Sequence, residues 1–106
     1  DLLTDIEDKA EHYPKTFQLL QNYPNPFNPT TAIEYELPHT AHVRITICDI
    51  RGRHIKTLVN QPQDSGRFQS SWDGTNERGV SVAGGVYFCC MQAGEYDKVV
   101  KMVLVK

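Results

Sequence analysis

The stretch "NYPNPFNPTT", residues 22–31, places three prolines within ten residues of an otherwise ordinary chain. Pro24, Pro26 and Pro29 each lack a backbone N–H and fix φ, so this segment cannot be a central β-strand. Three interpretations are open at this point: an irregular linker, a polyproline ligand for a partner, or a rigid lead-in to a folded domain. The surrounding residues decide between them.

The residues around the prolines favour a rigid corner docked on a domain. Only Pro26 and Pro29 have the P-x-x-P spacing, and their surroundings are not basic, which argues against a polyproline ligand. The asparagines of the stretch can close Asx turns onto the following backbone. Tyr23 and Phe27 supply apolar anchors, and we expect both rings to dock the corner on the rest of the domain.

Beyond the corner, the hydrophobic pattern has a period of two, which is typical of half-buried strands. Residues 31–37 alternate strictly, and "VYFCCMQ", residues 86–92, forms a continuous apolar run. The predicted strands cover residues 17–21, 31–37, 43–47, 54–59, 67–72, 86–92 and 99–105. Seven short strands separated by Gly, Pro, Asn and Asp turns predict an all-β fold, an antiparallel immunoglobulin- or fibronectin-III-like sandwich, with a small barrel as the competing architecture.

Composition fits one small domain without a nucleic-acid or membrane partner. The chain has 106 residues, 40% of them hydrophobic, and a net charge of -2, which gives no cationic footprint for nucleic acid or anionic lipid. No apolar run approaches the roughly 20 residues that span a bilayer. The chain begins without Met or a signal peptide, so we expect a fragment of a longer protein. Residues 1–16 are predicted to be a linker or short helix from an upstream domain, and residues 17–106 the folded domain.

Several motif residues have structural roles on this interpretation. Trp72 is predicted to lie in the core, and Asp73-Gly74 opens the following loop, with the Asp73 carboxylate accepting hydrogen bonds from backbone N–H groups. Gly84 and Gly85 give the backbone freedom where the loop returns. Tyr87 is expected to bury its ring and bond through its hydroxyl, as a tyrosine corner does.

The three cysteines are an odd number and lack C-x-x-C spacing. Cys89 and Cys90 are consecutive in a strand and must face opposite sides. We predict that Cys89 points inward, and that Cys90 and Cys48 point outward. The sequence leaves open whether all three are half-buried strand residues or whether Cys48 and Cys90 form a bridge between neighbouring strands.

No group of residues points to catalysis, a metal or a cofactor. His39 and His42 flank a turn and would need further ligands to hold a metal. Asp73, Asn76 and Glu77 lack the alternating ligands of an EF-hand loop. The chain contains no phosphate loop or nucleophile elbow. We therefore expect a non-catalytic protein that binds no cofactor.

A family resemblance rests on four pieces that occur in order. They are "FQLLQNYPNPFNPTTAIEYELP", "VRITICDIRGRHIKTLVN", "WDGTNERGVSVAGGVYF" and the final "KMVLVK", and they span residues 17–106. Together they resemble the type A C-terminal sorting domain of the type IX secretion system. The Trp-Asp-Gly and Gly-x-Tyr portions are also similar to Ig-like modules such as that of the flagellar hook-capping protein. Cys48, Cys89 and Cys90 depart from the family, which more often has tyrosine or charged residues there.

The resemblance implies a signal domain that directs a secreted cargo to the surface of a Gram-negative bacterium, through the periplasm and outer membrane. Its implied partners are the upstream cargo, the secretion machinery at the outer membrane and a sortase-like protease. The residues implied in recognition are Gly84, Gly85, Tyr87, Lys101, Met102 and Lys106. The alternative is an accessory carbohydrate-binding or spacer module of a secreted enzyme, which would need several exposed aromatics on one face if it bound carbohydrate.

The last predicted strand is apolar on both faces. Val100, Met102 and Leu104 share one face, and Val99, Val103 and Val105 share the other. A strand with one solvated face should be polar at every second position, so we expect residues 1–16, a second copy of the domain or a secretion receptor to cover the outer face. As an edge strand it would also offer unpaired backbone groups to such a partner.

Overall fold

The structure is a computed structural model that describes residues 14–106. The predicted linker or helix over residues 1–16 therefore lies almost wholly outside the described residues. The described part of the chain contains no helix, and hence none that is long and apolar enough to cross a membrane.

Seven strands form two antiparallel sheets. Their bounds are β1 Gln18–Leu19, β2 Thr31–Leu37, β3 Ala41–Asp49, β4 His54–Gln63, β5 Gly66–Trp72, β6 Gly85–Ala93 and β7 Tyr96–Leu104. One sheet has the order β1-β2-β5 and the other β4-β3-β6-β7. The predicted immunoglobulin-like sandwich is confirmed.

The core lies between the two sheets and follows the period of two read from the sequence. Ile33, Tyr35 and Leu37 of β2 are buried, whereas the alternate residues of that strand are half-buried or exposed. In β6 the inward positions include Cys89 and Met91, both buried. Burying these side chains between the sheets is the main stabilising contribution to the fold.

Strand β4 is longer than the sequence indicates. It continues to Gln63, and Pro62 pairs with His42 inside it, so the turn expected between the predicted strands 54–59 and 67–72 is confined to Asp64 and Ser65. Because β4 is the outer strand of its sheet, the missing N–H of Pro62 can face away from the ladder.

The proline corner, residues 22–30, leaves the three-stranded sheet after β1, bonds to β7 of the other sheet and returns to the first sheet at β2. Before the prolines, the chain still pairs with β2: Tyr23 and Ala32 exchange backbone hydrogen bonds of 3.0 and 2.9 Å. Between Pro26 and Pro29, Phe27 forms a parallel bridge with Leu104 of β7. The peptide bonds before all three prolines are cis. The interpretation of the stretch as a rigid lead-in agrees with this path.

Only one of the two predicted anchors of the corner is buried. The Phe27 ring is 2% exposed and lies 5.6 Å from the Trp72 ring, between centroids. Tyr23 is 81% exposed, so the prediction for its ring is wrong. Directly paired residues of antiparallel strands point to the same face, and Ala32, the partner of Tyr23, lies on the outer face of β2. The Tyr23 ring is therefore held on the solvent side.

A buried polar pair closes the base of the corner. Asn22 is 2% exposed and Thr31 is 1% exposed. The Asn22 Nδ2 donates to Thr31 Oγ1 at 2.9 Å and to the Pro24 carbonyl at 3.1 Å, and the Thr31 hydroxyl donates to the same carbonyl at 2.8 Å. These bonds satisfy polar groups that would otherwise be costly to bury. The sequence gives no periodic signal for such a pair, and the prediction missed it.

Candidate functional site

Two of the predicted recognition residues are buried and belong to the core. Tyr87 of β6 pairs with Met102 of β7, and their exposures are 7% and 0%. The Tyr87 hydroxyl donates to the Ala83 carbonyl at 2.6 Å, so the predicted tyrosine corner is confirmed. Burial, and secondarily the charge of Asp49, raise the pKa of Tyr87. Both side chains can act only by holding neighbouring residues in place.

Three other predicted residues, Gly84, Gly85 and Lys106, are exposed and lie together, and we call them the Gly84–Lys106 patch. Gly85 pairs with Leu104, which brings the loop before β6 alongside the end of the chain. A Cβ atom placed on Gly84 would lie 3.2 Å from the Leu104 carbonyl oxygen and 3.5 Å from Cγ of Lys106. Only glycine at position 84 permits this approach without a shift.

Basic residues of the turn after β3 border this patch. A cleft of about 400 Å³ runs beside Gly84 and Gly85 and is also lined by Arg51 and Arg53. Arg53 donates to the Asp49 carboxylate at 2.9 Å, whereas Arg51 is exposed. Asp49 also lines the cleft and offsets the charge of Arg53, so the cationic character of this end of the sheet comes from Arg51 and Lys106.

Lys101 is exposed but does not join the patch. It lies opposite Phe88 on the outer face of β7, five residues before Lys106, which is roughly 16 Å along an extended strand. The structure therefore divides the six residues that the resemblance implied in recognition. Two are a buried pair, three form the exposed patch, and Lys101 is exposed by itself.

The proline corner covers the outer edge of β7 near its C-terminal end. Gln21 Nε2 donates to the Lys101 carbonyl, and Asn25 Oδ1 accepts from the Val103 N–H, both at 2.9 Å. Phe27 completes the pairing, because its N–H donates to the Val103 carbonyl and its carbonyl accepts from Val105, again at 2.9 Å. The predicted open edge is therefore wrong for residues 101–105.

Asn25 illustrates why this contact was missed. We expected the asparagines of the corner to close local Asx turns, but the Asn25 side chain bonds a backbone group 78 residues away. Only the folded chain brings the two segments together.

The outer face of β7 is not covered by the described part of the chain. Val99 is 56% and Val105 47% exposed, while Val103 is half-buried. On the inner face Val100, Met102 and Leu104 are buried as predicted. The expected cover for the outer face stays a prediction.

The Trp-Asp-Gly loop joins the corner to the terminal strand. The Trp72 ring lies 5.1 Å from that of Tyr87, and its Nε1 donates to the Thr75 carbonyl at 2.8 Å. Asp73 accepts hydrogen bonds from the backbone N–H and the hydroxyl of Thr75. The hydroxyl contact is the main reason that the pKa of Asp73 is lowered, with a smaller contribution from Lys56. The predicted roles of Trp72 and Asp73 are confirmed.

Gly74 occupies the tightest point of this junction. It is buried with φ of +75°, and a Cβ atom there would lie 3.2 Å from the Pro29 carbonyl oxygen and 3.5 Å from the Leu104 side chain. The loop, the corner and the terminal strand therefore meet around one glycine.

The polar residues considered as metal ligands have other partners. His39 contacts the Thr40 carbonyl and His42 the Asn60 side chain, while Glu77 accepts from the Thr57 N–H. Across residues 14–106, no group of three His, Cys, Asp or Glu side chains is placed to hold a metal ion. Within the same residues, Tyr23 is the only Phe, Tyr or Trp that is largely exposed, and the others are buried or half-buried. A carbohydrate-binding face would need several exposed aromatic rings to stack against sugars.

Comparison with solved structures shows the same fold. Dimeric latent PorU of Porphyromonas gingivalis superposes with a TM-score of 0.65 at 19% identity over 85% of this chain. PorZ of the same organism, an essential surface component of the type IX secretion system, gives 0.58 at 21% identity over 83%. The chain covers 9% and 11% of those two proteins. No curated protein matches.

Residues 26–97 match the FlgD Ig-like domain family, from the proline corner to the start of β7. The matched region is more than half of the chain and includes the Trp-Asp-Gly loop and Tyr87 described above. The chain therefore belongs to the FlgD Ig-like domain family.

Proposed function

We propose that this domain is a non-catalytic signal domain that directs an attached cargo protein through the type IX secretion system to the cell surface. The proposal is supported by the order of the motifs in residues 17–106, which resemble the type A sorting domain. It is also supported by the likeness of the fold to a domain of PorZ, a surface component of that system.

The observation that carries the proposal is the Gly84–Lys106 patch. Three of the four exposed residues implied in recognition, Gly84, Gly85 and Lys106, meet at one end of the sheet, and Arg51 lines the cleft beside the two glycines. A cationic surface of this kind suits a partner with complementary negative charge. The buried residues of the set, Tyr87 and Met102, hold the strands that present this surface.

The corner also limits how a partner can bind β7, whose outer edge the sequence predicted to be open. Residues 101–105 have their outer edge bonded to the corner, so a receptor cannot pair with that backbone unless the corner detaches. Recognition therefore uses exposed side chains such as those of Lys101 and Lys106, and a sortase-like protease acts between the cargo and residue 17. On this proposal, the receptor recognises the surface of the folded domain and not an extended peptide.

The two exposed lysines of the implied set provide a test that leaves the core intact. A reporter is fused ahead of the full chain in a host with type IX machinery, and the surface-exposed fraction of the reporter is measured. We expect Lys101→Ala with Lys106→Ala to lower that fraction several-fold, because two rim charges steer the encounter with the receptor. Thermal melts of the purified variant should match those of the unmodified domain.

Lys15→Ala with Lys98→Ala is the matched control, since it removes the same charge from two exposed positions away from the patch. Its surface fraction should equal that of the unmodified fusion. If both double variants lowered the surface-exposed fraction of the reporter equally, the effect would come from the change in net charge. That result would contradict a specific role for Lys101 and Lys106.

A further inference from the structure

Cys48 and Cys90 lie side by side on the outer face of the four-stranded sheet. They belong to the two inner strands, β3 and β6, and the register pairs Cys48 with Phe88 and Thr46 with Cys90. The two cysteines are thus diagonal neighbours on one face. Their Sγ atoms are 3.9 Å apart, and both side chains are half-buried.

We propose that Cys48 and Cys90 form an interstrand disulfide when the folded protein meets a disulfide donor, whereas Cys89 stays a thiol. One cysteine thiolate attacks the donor disulfide and forms a mixed disulfide, releasing one donor thiolate. The second cysteine thiolate then attacks the Sγ of the first and releases the other donor thiolate. Two electrons and two protons pass from the cysteines to the donor, which becomes two thiols.

The two sulfurs are in contact but are not yet at bonding distance. A disulfide has an S–S distance near 2.05 Å, so the two sulfurs must approach by about 2 Å. Diagonal neighbours lie roughly 7–8 Å apart, and bridged cysteines have Cα atoms roughly 4.4–6.8 Å apart, so we expect the approach to combine rotation about the Cα–Cβ bonds with a slight closing of the two strands. The backbones of β3 and β6 are each hydrogen-bonded to a strand on both sides, which holds the two cysteines beside each other in the folded protein.

Cys89 is excluded by its position. It is 1% exposed and points into the core, on the opposite side of β6 from Cys90. Burial, and then the neighbouring cysteines, raise the pKa of the Cys89 thiol to about 12. Burial and Cys48 also raise the pKa of Cys90, to about 11. The thiolate form of Cys90 is therefore scarce at neutral pH.

The bond would stabilise the domain because it constrains the unfolded chain. It would close a loop that contains β4 and β5, and cross-links of this kind restrict the unfolded ensemble. For a domain of this size, we expect the apparent Tm to rise by about 10 °C on oxidation. This expectation does not depend on the secretion proposal.

The test uses the purified, reduced full chain incubated with excess glutathione disulfide. After denaturation, free thiols are alkylated and the protein is analysed by intact mass and peptide mapping. We expect a monomer with one alkylated thiol, at Cys89, and a linked pair of peptides containing Cys48 and Cys90. Reduction before alkylation should give three labelled cysteines and return the Tm to its lower value.

Single substitutions distinguish a Cys48–Cys90 disulfide from a linkage that involves Cys89. Cys89→Ser should keep both the linked peptides and the rise in Tm, whereas Cys48→Ser and Cys90→Ser should lose both. Three free thiols after exhaustive oxidation would overturn the proposal. So would glutathione adducts on Cys48 and Cys90 in the unsubstituted chain, a linkage through Cys89, or disulfide-linked dimers.

Discussion

Phe27→Ala is expected to lower the free energy of unfolding by about 3–5 kcal/mol, the usual cost of removing a fully buried phenylalanine ring. The ring is 2% exposed and packs on Trp72. Its removal leaves a cavity where the proline corner meets the core. Urea unfolding followed by Trp72 fluorescence gives the change directly, and a loss of this size is a large share of the stability of a small domain.

Tyr23→Ala is the matched control from the same corner. Both residues form backbone bridges, but the Tyr23 ring is 81% exposed, so its removal should change stability by no more than about 0.5 kcal/mol. If the two substitutions had equal effects, the corner would be a linker that rests on the domain, and its assignment as a segment docked between β2 and β7 would be wrong.

Gly74→Ala is expected to cost about 2–5 kcal/mol for two reasons. The residue has φ of +75°, where a side chain costs about 1–2 kcal/mol. The new methyl group would also lie 3.2 Å from the Pro29 carbonyl oxygen, so the corner or the loop must move, and overpacking of this kind costs about 1–3 kcal/mol.

Gly79→Ala is the matched control, because it measures the cost of the positive φ without the cost of the close contact. Gly79 has nearly the same φ, +77°, but no atom lies within 4 Å of the position of its Cβ. Its cost should be only the conformational part, about 1–2 kcal/mol. Both variants can be compared by urea melts, and a Gly79→Ala loss as large as that of Gly74→Ala would contradict the close contact between the loop and the corner.

The strands could be predicted because burial between two sheets imposes a period of two on each of them. That pattern also predicted the facing of Cys89 and Cys90, and their exposures confirm it. Pro62 misled the prediction because a proline in a polar stretch usually marks a turn, whereas an edge strand tolerates it.

The contacts of the corner could not be predicted because they depend on segments distant in the sequence. Asn25 and Phe27 bond residues of β7 that lie nearly 80 positions away, and no local pattern encodes that pairing. The same holds for the Gly84–Lys106 patch, which the resemblance named as separate residues and the fold brings together. Tyr23 was predicted wrongly because an aromatic ring in a docked segment is equally able to lie on its solvent side.

The most direct test of the secretion proposal is to measure where a folded reporter, fused ahead of the full chain, is located in the cell. The reporter is expressed in one strain with working type IX machinery and in another without it, and its accessibility to protease added to intact cells is measured. The account predicts an accessible reporter in the first strain and a periplasmic reporter in the second. A reporter that stays periplasmic in the first strain, with the domain shown to be folded, would contradict it.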